Sequence, residues 1–141
     1  FGTLSGDLPS GRRAFKPYTH GLTPAPSDKD QLIQNIHSVA SLDALKMPNN
    51  LAFNVKLVPS GLDTHDETLN YFNSYVKSYF DLGGMQMQFN VVTSDMLKDA
   101  MERPENYGWL LVRISGYNAY FVDLNRDMQL ELIERTEYCT H

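Results

Sequence analysis

The stretch WLLVRISGYNAYFVDL, from Trp109 to Leu124, decides how this sequence is interpreted. Its apolar runs 109–112 and 119–122 predict two short strands, and the first run, apolar at every position, is expected to be buried on both faces. Between the runs lies Gly116, which permits a tight turn, and Asn118 is a second turn-forming residue. The residue types alone therefore predict a strand, a turn and a strand with a glycine between them.

Helices and strands alternate on either side of this unit. The predicted elements are a helix at 31–45, a strand at 51–58, a helix from a Thr64–Glu67 capping box to Gly83, a strand at 85–91, a helix capped by Thr93 or Ser94 and ended by Pro104, and a last helix that runs to about Tyr138. The apolar faces are expected at Leu51, Phe53, Val55 and Leu57 in the first strand and at Leu69, Phe72, Val76, Tyr79 and Phe80 in the second helix. Strands joined by helices predict an α/β fold with right-handed crossovers.

The strand predicted at 85–91 has one face made only of amides. Met85, Met87, Phe89 and Val91 form its apolar face, and Gln86, Gln88 and Asn90 form the other. A face in water more often carries Lys or Glu, whereas amides suit a face on which protein groups satisfy every donor and acceptor. We expect such a packed face, with a plain solvated face as the alternative.

Composition limits the kinds of partner and cofactor. The chain has 141 residues, enough for one domain with a core, and its net charge of -5 argues against a nucleic-acid surface. No apolar run is long enough to span a membrane. Cys139 is the only cysteine, so an internal disulfide is impossible, and a reducing, cytoplasmic setting is expected. Cys139 and His141 would make a poor metal site by themselves, and no bound metal is expected.

Residues 1–30 are rich in glycine and proline, so we expect an extended entry segment that runs across another surface, followed by a folded domain at 31–141. The chain begins with Phe1 and lacks an initiator methionine, which favours a processed protein or a piece of a longer one.

Several stretches together resemble the C-terminal segment of glycyl radical enzymes. The fingerprint of that family is Arg-Val-Ser/Ala/Gly-Gly-Tyr before an aromatic strand, and here it reads RISGYNAYF at 113–121, with Ile114 for the usual Val and Asn118 where Ala or Ser is common. The likeness extends to GRRAFKPYTHGLTPAP at 11–26, GGMQMQFNVV at 83–92, DAMERPENYGWLLVR at 99–113 and DLNRDMQLELIERTEY at 123–138. The resemblance covers nearly the whole chain in the family's order.

The resemblance implies that Gly116 bears a stable organic radical. In the family, a separate iron–sulfur activating enzyme uses S-adenosylmethionine under anaerobic conditions to remove one hydrogen from this glycine. The radical then passes to a cysteine in a barrel-type catalytic body. A glycine suits this role because a Cβ would obstruct a planar radical and the approach to the Cα hydrogen. We expect the two flanking strands to shield the oxygen-sensitive radical by burial.

The neighbours of Gly116 are expected to support the loop. Arg113 would orient it by donating to backbone carbonyls, with a surface charge at a strand end as the alternative. Ser115 and Asn118 would keep the loop small and hydrogen-bonded, and Tyr117 would serve packing rather than chemistry.

The thiyl cysteine and the acid–base residues of the family lie upstream and have no counterpart here, since Cys139 follows Gly116 by 23 positions (139 minus 116). The chain is therefore expected to hold a radical without completing the reaction alone. It would be the radical-bearing portion of a dehydratase, decarboxylase or lyase type of enzyme. Alternatively, it would be a free-standing cofactor protein that repairs an oxygen-cleaved relative of pyruvate formate-lyase. A binding domain that has kept only the fold is a third reading, and the intact Gly116 loop argues against it.

Overall fold

The computed structural model describes residues 2–9, 12–16, 18–25, 31–47, 49, 51–58 and 65–139. Four helices and five strands follow one another within these ranges as α1 (Leu32–Ala40), β1 (Ala52–Val58), α2 (His65–Asp81), β2 (Gln86–Asn90), α3 (Ser94–Glu102), β3 (Leu111–Arg113), β4 (Asn118–Tyr120), α4 (Arg126–Glu134) and β5 (Glu137–Cys139). The predicted α/β fold is confirmed. Thr93 caps α3 by accepting a hydrogen bond from the amide of Met96, as its position before the helix predicts. Thr64 of the predicted capping box lies outside the described residues.

Strands β1, β2 and β5 form a parallel sheet in the order β2-β1-β5, and β3 and β4 form a separate hairpin. The register of the parallel sheet places Asn54 beside Gln88 and Lys56 beside both Asn90 and Glu137. The expected continuation of the last helix to Tyr138 is wrong, because α4 ends at Glu134 and the chain then pairs with β1 as β5. The open edge of β1 explains the difference: its backbone groups need a partner that sequence periodicity does not show.

Two hydrophobic cores lie on opposite sides of the sheet. In the first, Phe53, Val55 and Leu57 of β1 pack against α1 and Tyr79 of α2. The second consists of Leu97, Ala100, Leu110, Val112, Ile114, Phe121 and Leu132, which come from α3, α4 and the β3–β4 segment. The apolar face predicted for α2 is covered only in part, since Leu69 and Phe80 are exposed while Tyr79 is buried.

The second face of the sheet is buried and polar. Its residues are Asn54 and Lys56 of β1 and Gln88 and Asn90 of β2, all less than 10% exposed, and we refer to them as the polar layer. Gln88 and Asn90 confirm the expected packing of the amide face against protein groups, whereas Gln86 is exposed. The alternation expected for β1 is confirmed, since Phe53, Val55 and Leu57 share the first core, and the opposite face is buried as well because this central strand is covered on both sides.

The described part of the entry segment contacts the start of β1. The amide of Leu22 donates to the carbonyl of Ala52 at 2.8 Å, and Asn54 donates through its side chain to the Thr23 hydroxyl at 2.9 Å. Gly21 has a φ of +65°, and a Cβ built on it would lie 2.1 Å from the Ala52 carbonyl oxygen. Only glycine fits this approach of two backbones.

The β3–β4 hairpin is less buried than its apolar sequence predicts. Leu110 and Val112 point into the second core, but Trp109 is 65% and Leu111 52% exposed. The expectation of a strand buried on both faces is therefore wrong for the described chain. No helix among the described residues is long and apolar enough to cross a membrane.

Candidate functional site

Gly116 lies at the tip of the loop that joins β3 to β4. Its φ is +80°, in the left-handed region that glycine adopts without strain. Apart from its two chain neighbours, no described atom lies within 4 Å of a Cβ built on Gly116. The residue is exposed, so the expected shielding by the flanking strands is wrong within this chain. Any shielding of Gly116 has to come from outside the described residues.

The backbone just before Gly116 is fixed from two sides. Ile114 is fully buried in the second core, and its amide donates to the carbonyl of Tyr117 at 3.0 Å, which closes the loop. The side chain of Asn90 accepts from the amide of Arg113 and donates to the carbonyl of Arg113, both at 2.7 Å. Asn90 thus takes the place of a neighbouring strand and ties the hairpin to the sheet.

Gln88 contacts the glycine itself. Its Oε1 accepts a hydrogen bond from the backbone N–H of Gly116 at 3.0 Å and a second one from Nε of Arg113 at 2.8 Å. Gln88 is 7% exposed, so the accepting oxygen of these bonds lies on a buried side chain. The alternation of β2 places Gln88 and Asn90 on the same face, which explains why both amides reach one loop.

Arg113 supports the loop through side chains rather than through the backbone. Its guanidinium donates to Oε1 of Gln88 and to Oδ1 of Asn118, the second at 3.1 Å. The expected donation to backbone carbonyls is not among the bonds that it makes in the described structure. Asn118 has the expected hydrogen-bonding role. Ser115 is half-buried, and Tyr117 is 50% exposed, so the packing expected for Tyr117 is not provided within the described chain.

Arg135 makes the contacts that we expected of Arg113. Directly after α4, it is 4% exposed and donates to the carbonyl of Ile114 at 3.1 Å and to that of Arg113 at 3.4 Å. Glu131, one turn earlier, holds the guanidinium with two hydrogen bonds of 2.9 and 3.0 Å. Sequence reasoning missed Arg135 because it placed this residue inside a helix. In the sequence, the only sign of this role is that an arginine follows the last inward-facing residue of α4.

Lys56 of the polar layer lies beneath the same helix end. Its ammonium donates to the Ser94 hydroxyl at 2.7 Å and to the carbonyls of Ile133 and Leu132 at 2.8 and 3.4 Å. Burial lowers the pKa of Lys56 from 10.5 to about 8, and Glu137 at 3.8 Å opposes this effect. The charged lysine therefore connects β1, α3 and the end of α4, where Arg135 begins.

An open groove of about 460 Å³ lies beside the loop. Asn90, Arg113 and Asn118 contribute its polar wall, and Trp109 and Leu111 part of its apolar wall. The described residues contain no group of three or more His, Cys, Asp or Glu that could hold a metal ion. His141 and the side chain of Cys139 are outside that description.

Comparison with known proteins gives one consistent family. A family model described as "Glycine radical" matches residues 18–122. Indoleacetate decarboxylase of Tractidigestivibacter scatoligenes is 36% identical over 97% of this chain and 16% of its own length, and trans-4-hydroxy-L-proline dehydratase of Clostridioides difficile is 34% identical over 97% and 17%. The solved structure of the glycerol-bound, B12-independent glycerol dehydratase from Clostridium butyricum matches with a TM-score of 0.89 at 36% identity, over 99% of this chain and 18% of that one.

The chain spans less than a fifth of the length of these relatives. The family model covers the hairpin with Gly116, the polar layer and part of the entry segment, so the match includes the glycine and the amides that bond to its loop. The resemblance inferred from the sequence motifs is thereby confirmed. This chain belongs to the glycyl radical enzyme family and corresponds to the glycyl radical domain of its dehydratase and decarboxylase members.

Proposed function

We propose that Gly116 is the residue that bears the radical and that this chain supplies it to a larger catalytic body. The observation that carries the proposal is the loop geometry: a glycine at a hairpin tip, open on the Cβ side, with its own amide held by Gln88. Three further side chains, Asn90, Arg113 and Arg135, fix the loop around it. The family's chemistry gives such a glycine its purpose, which a plain turn lacks.

The openness of Gly116 suits the first step of this chemistry. A separate iron–sulfur enzyme that uses S-adenosylmethionine would remove one hydrogen atom from Cα, and for this it must approach the glycine closely. In the described chain that approach is unobstructed, because Gly116 is exposed. The residues of this chain contribute position: they present Cα at the surface and hold the peptide groups before it.

A catalytic body would then have to cover the loop. Exposed apolar side chains lie on the hairpin and just after β2, and these are Val91, Trp109, Leu111, Tyr117 and Tyr120, each between 49% and 65% exposed. A patch of this kind next to a reactive group is typical of a protein interface. The body would bury the patch, exclude oxygen from Gly116 and contribute the cysteine that receives the radical. The unshielded loop of this chain thus becomes shielded only when docked.

The reaction we propose for the complete enzyme is radical cleavage of a C–C, C–O or C–N bond in a lyase, dehydratase or decarboxylase. The named relatives are a decarboxylase and two dehydratases, which supports this class. We also propose that residues 1–30 form the entry segment and 31–141 the radical domain, in an oxygen-poor cytoplasm. The intact mass of the gene product distinguishes a larger enzyme from a free-standing cofactor protein.

Electron paramagnetic resonance tests the radical assignment. The complete protein, treated anaerobically with its activating enzyme, S-adenosylmethionine and a reductant, should give an organic radical with a doublet from the remaining α-hydrogen. Growth on glycine deuterated at Cα should collapse the doublet, and exposure to air should cut the chain at Gly116. An activated protein that gives no such signal and stays intact in air would contradict the proposal.

A further inference from the structure

Gln88 is bonded to the reactive glycine through its oxygen alone. Both groups that face Oε1, the N–H of Gly116 and Nε of Arg113, are donors, so the amide orientation follows from its surroundings. Nε2 of Gln88 is buried and has no hydrogen-bond partner in the described part of the chain. Leaving a buried amide nitrogen unpaired is unfavourable. The hydrogen bonds of the oxygen, and not those of the nitrogen, therefore account for a glutamine at this position.

We propose that Oε1 of Gln88 positions Gly116 and stabilises its radical, an inference that rests on the proposed function. The unpaired electron at Cα is shared with the amide nitrogen on one side and the carbonyl on the other. A hydrogen-bond acceptor on the N–H increases electron donation from the nitrogen toward Cα. Gln88 provides that acceptor in a buried place, where hydrogen bonds are electrostatically stronger than in water.

The same hydrogen bond determines which half of the loop moves when the radical forms. Sharing of the electron requires both peptide planes at Gly116 to align with the trigonal Cα, whereas the resting φ is +80°. Gln88 holds the peptide group before Cα, Asn90 holds the backbone of Arg113, and Arg135 holds the carbonyls of Arg113 and Ile114. The rotation therefore falls on the carbonyl side, toward the exposed Tyr117.

Two substitutions of Gln88 distinguish the effect of its oxygen from the effect of the rest of the side chain. Gln88→Leu removes the acceptor at nearly constant volume, whereas Gln88→Glu retains an oxygen acceptor beside Arg113 and replaces the unpartnered nitrogen with a second carboxylate oxygen. Gln86→Leu, at the exposed start of the same strand and on the same face, is the matched control. Each variant is made in the complete protein, activated anaerobically, and followed by electron paramagnetic resonance until the signal decays.

In Gln88→Leu, less spin density lies on nitrogen and more on Cα, so the doublet splitting should widen and the radical should decay roughly three- to tenfold faster, as loss of one hydrogen bond predicts. Gln88→Glu, whose carboxylate is at least as strong an acceptor, should show neither the wider splitting nor the faster decay, and Gln86→Leu should leave both the spectrum and the lifetime unchanged. If Gln88→Leu does not fold, Gln88→Asn, which withdraws the amide by one methylene, is judged by the same two measurements. If Gln88→Leu, or Gln88→Asn in its place, shows the wild-type spectrum and lifetime, the role of Gln88 is overturned and the radical assignment stays intact. A wild-type protein without any glycyl signal would instead overturn the proposed function.

Discussion

Gly21 and Gly116 have similar backbone conformations in opposite surroundings. Both have a positive φ, +65° and +80°. A Cβ at Gly21 would collide with the backbone of Ala52, whereas one at Gly116 would meet no described atom beyond its chain neighbours within 4 Å. Packing therefore accounts for the first glycine and does not account for the second. The positive φ is one reason for a glycine at 116, and any further requirement has to be sought in chemistry or in a partner.

The contacts around the two glycines lead to the same conclusion. Near Gly21, backbone meets backbone through the bond from Leu22 to Ala52. Near Gly116, side chains from β2 and from the end of α4 reach toward the loop, and Gln88 and Arg135 are both buried. Buried polar side chains are costly unless they are paired, so a protein that needed only a turn would rarely use them here.

Gly116→Ala is expected to have the largest effect, and chiefly on function. The left-handed φ costs an alanine on the order of 1–2 kcal/mol, so the fold should survive. Neither the radical nor cleavage in air at position 116 should appear after activation, because the Cβ obstructs the planar Cα and the approach to its hydrogen. Electron paramagnetic resonance measures the radical, and the mass of the air-treated chain shows whether it has been cut.

Gly83 offers a control for that substitution. Its φ is +96°, and a Cβ built on it likewise meets no described atom within 4 Å. Gly83→Ala should thus cost about the same 1–2 kcal/mol in unfolding free energy and retain the full radical signal. Equal signals in the two alanine variants would remove the special status of Gly116.

Gly21→Ala should reverse the pattern. The added Cβ would lie 2.1 Å from a backbone oxygen that cannot move without shifting β1. Together with the unfavourable φ, we expect a loss of at least about 3 kcal/mol in unfolding free energy. Denaturant unfolding of the complete protein measures it, and the radical should still form in whatever fraction remains folded. A stability loss no larger than that of Gly83→Ala would show that the entry segment adapts freely.

The sequence predicts the parts of the fold that depend on local pattern. Periodicity in 31–45 and 51–58, and the capping of α3 by Thr93, predict elements that the structure contains. The strand Glu137–Cys139 could not be predicted in this way, because its reason is the unpaired edge of β1, which is distant in sequence. The burial of Lys56 has the same kind of cause, since α3 and α4 cover the strand from elsewhere in the chain.

Only two features of the sequence predict the site: one motif, and the absence of charged residues from one face of a strand. The motif at 113–121 identifies the loop, and the uncharged face of β2 indicates a packed role for Gln88 and Asn90. That these amides bond to the Gly116 loop depends on how the hairpin sits on the sheet. Arg135 is a helix-end arginine like many others until α4 directs it to the loop carbonyls.

One strand connects the surroundings of the two glycines, and the charge on it offers the smallest test. β1 meets Gly21 at Ala52 and, four residues later, places the ammonium of Lys56 beneath α4. Burial lowers the pKa of Lys56 to about 8, with Arg135 and Lys98 acting in the same direction and Glu137 and Glu131 against it. Between pH 8 and 10.5 the unfolded chain retains a proton that the folded chain has lost. The unfolding free energy should therefore rise with pH in that window, by on the order of 2–3 kcal/mol in total.

Lys56→Met isolates this contribution. Tyrosines such as Tyr79, whose pKa burial raises, oppose the trend at high pH, but they do so in both proteins. We therefore expect the unfolding free energy of the wild type minus that of Lys56→Met to increase from pH 7.5 to 10. Lys77→Met, which removes an exposed lysine, should not reproduce this increase, because no burial cost is relieved there. In Lys56→Met the Ser94 hydroxyl and the Ile133 carbonyl lose the ammonium but keep the hydrogen bond between them. The resulting loss of stability is the same at every pH and so cancels from the slope. A difference that is flat with pH would mean that Lys56 keeps its proton in the folded state as firmly as in the unfolded one. Its contacts with α3 and α4 would then offset its burial in full.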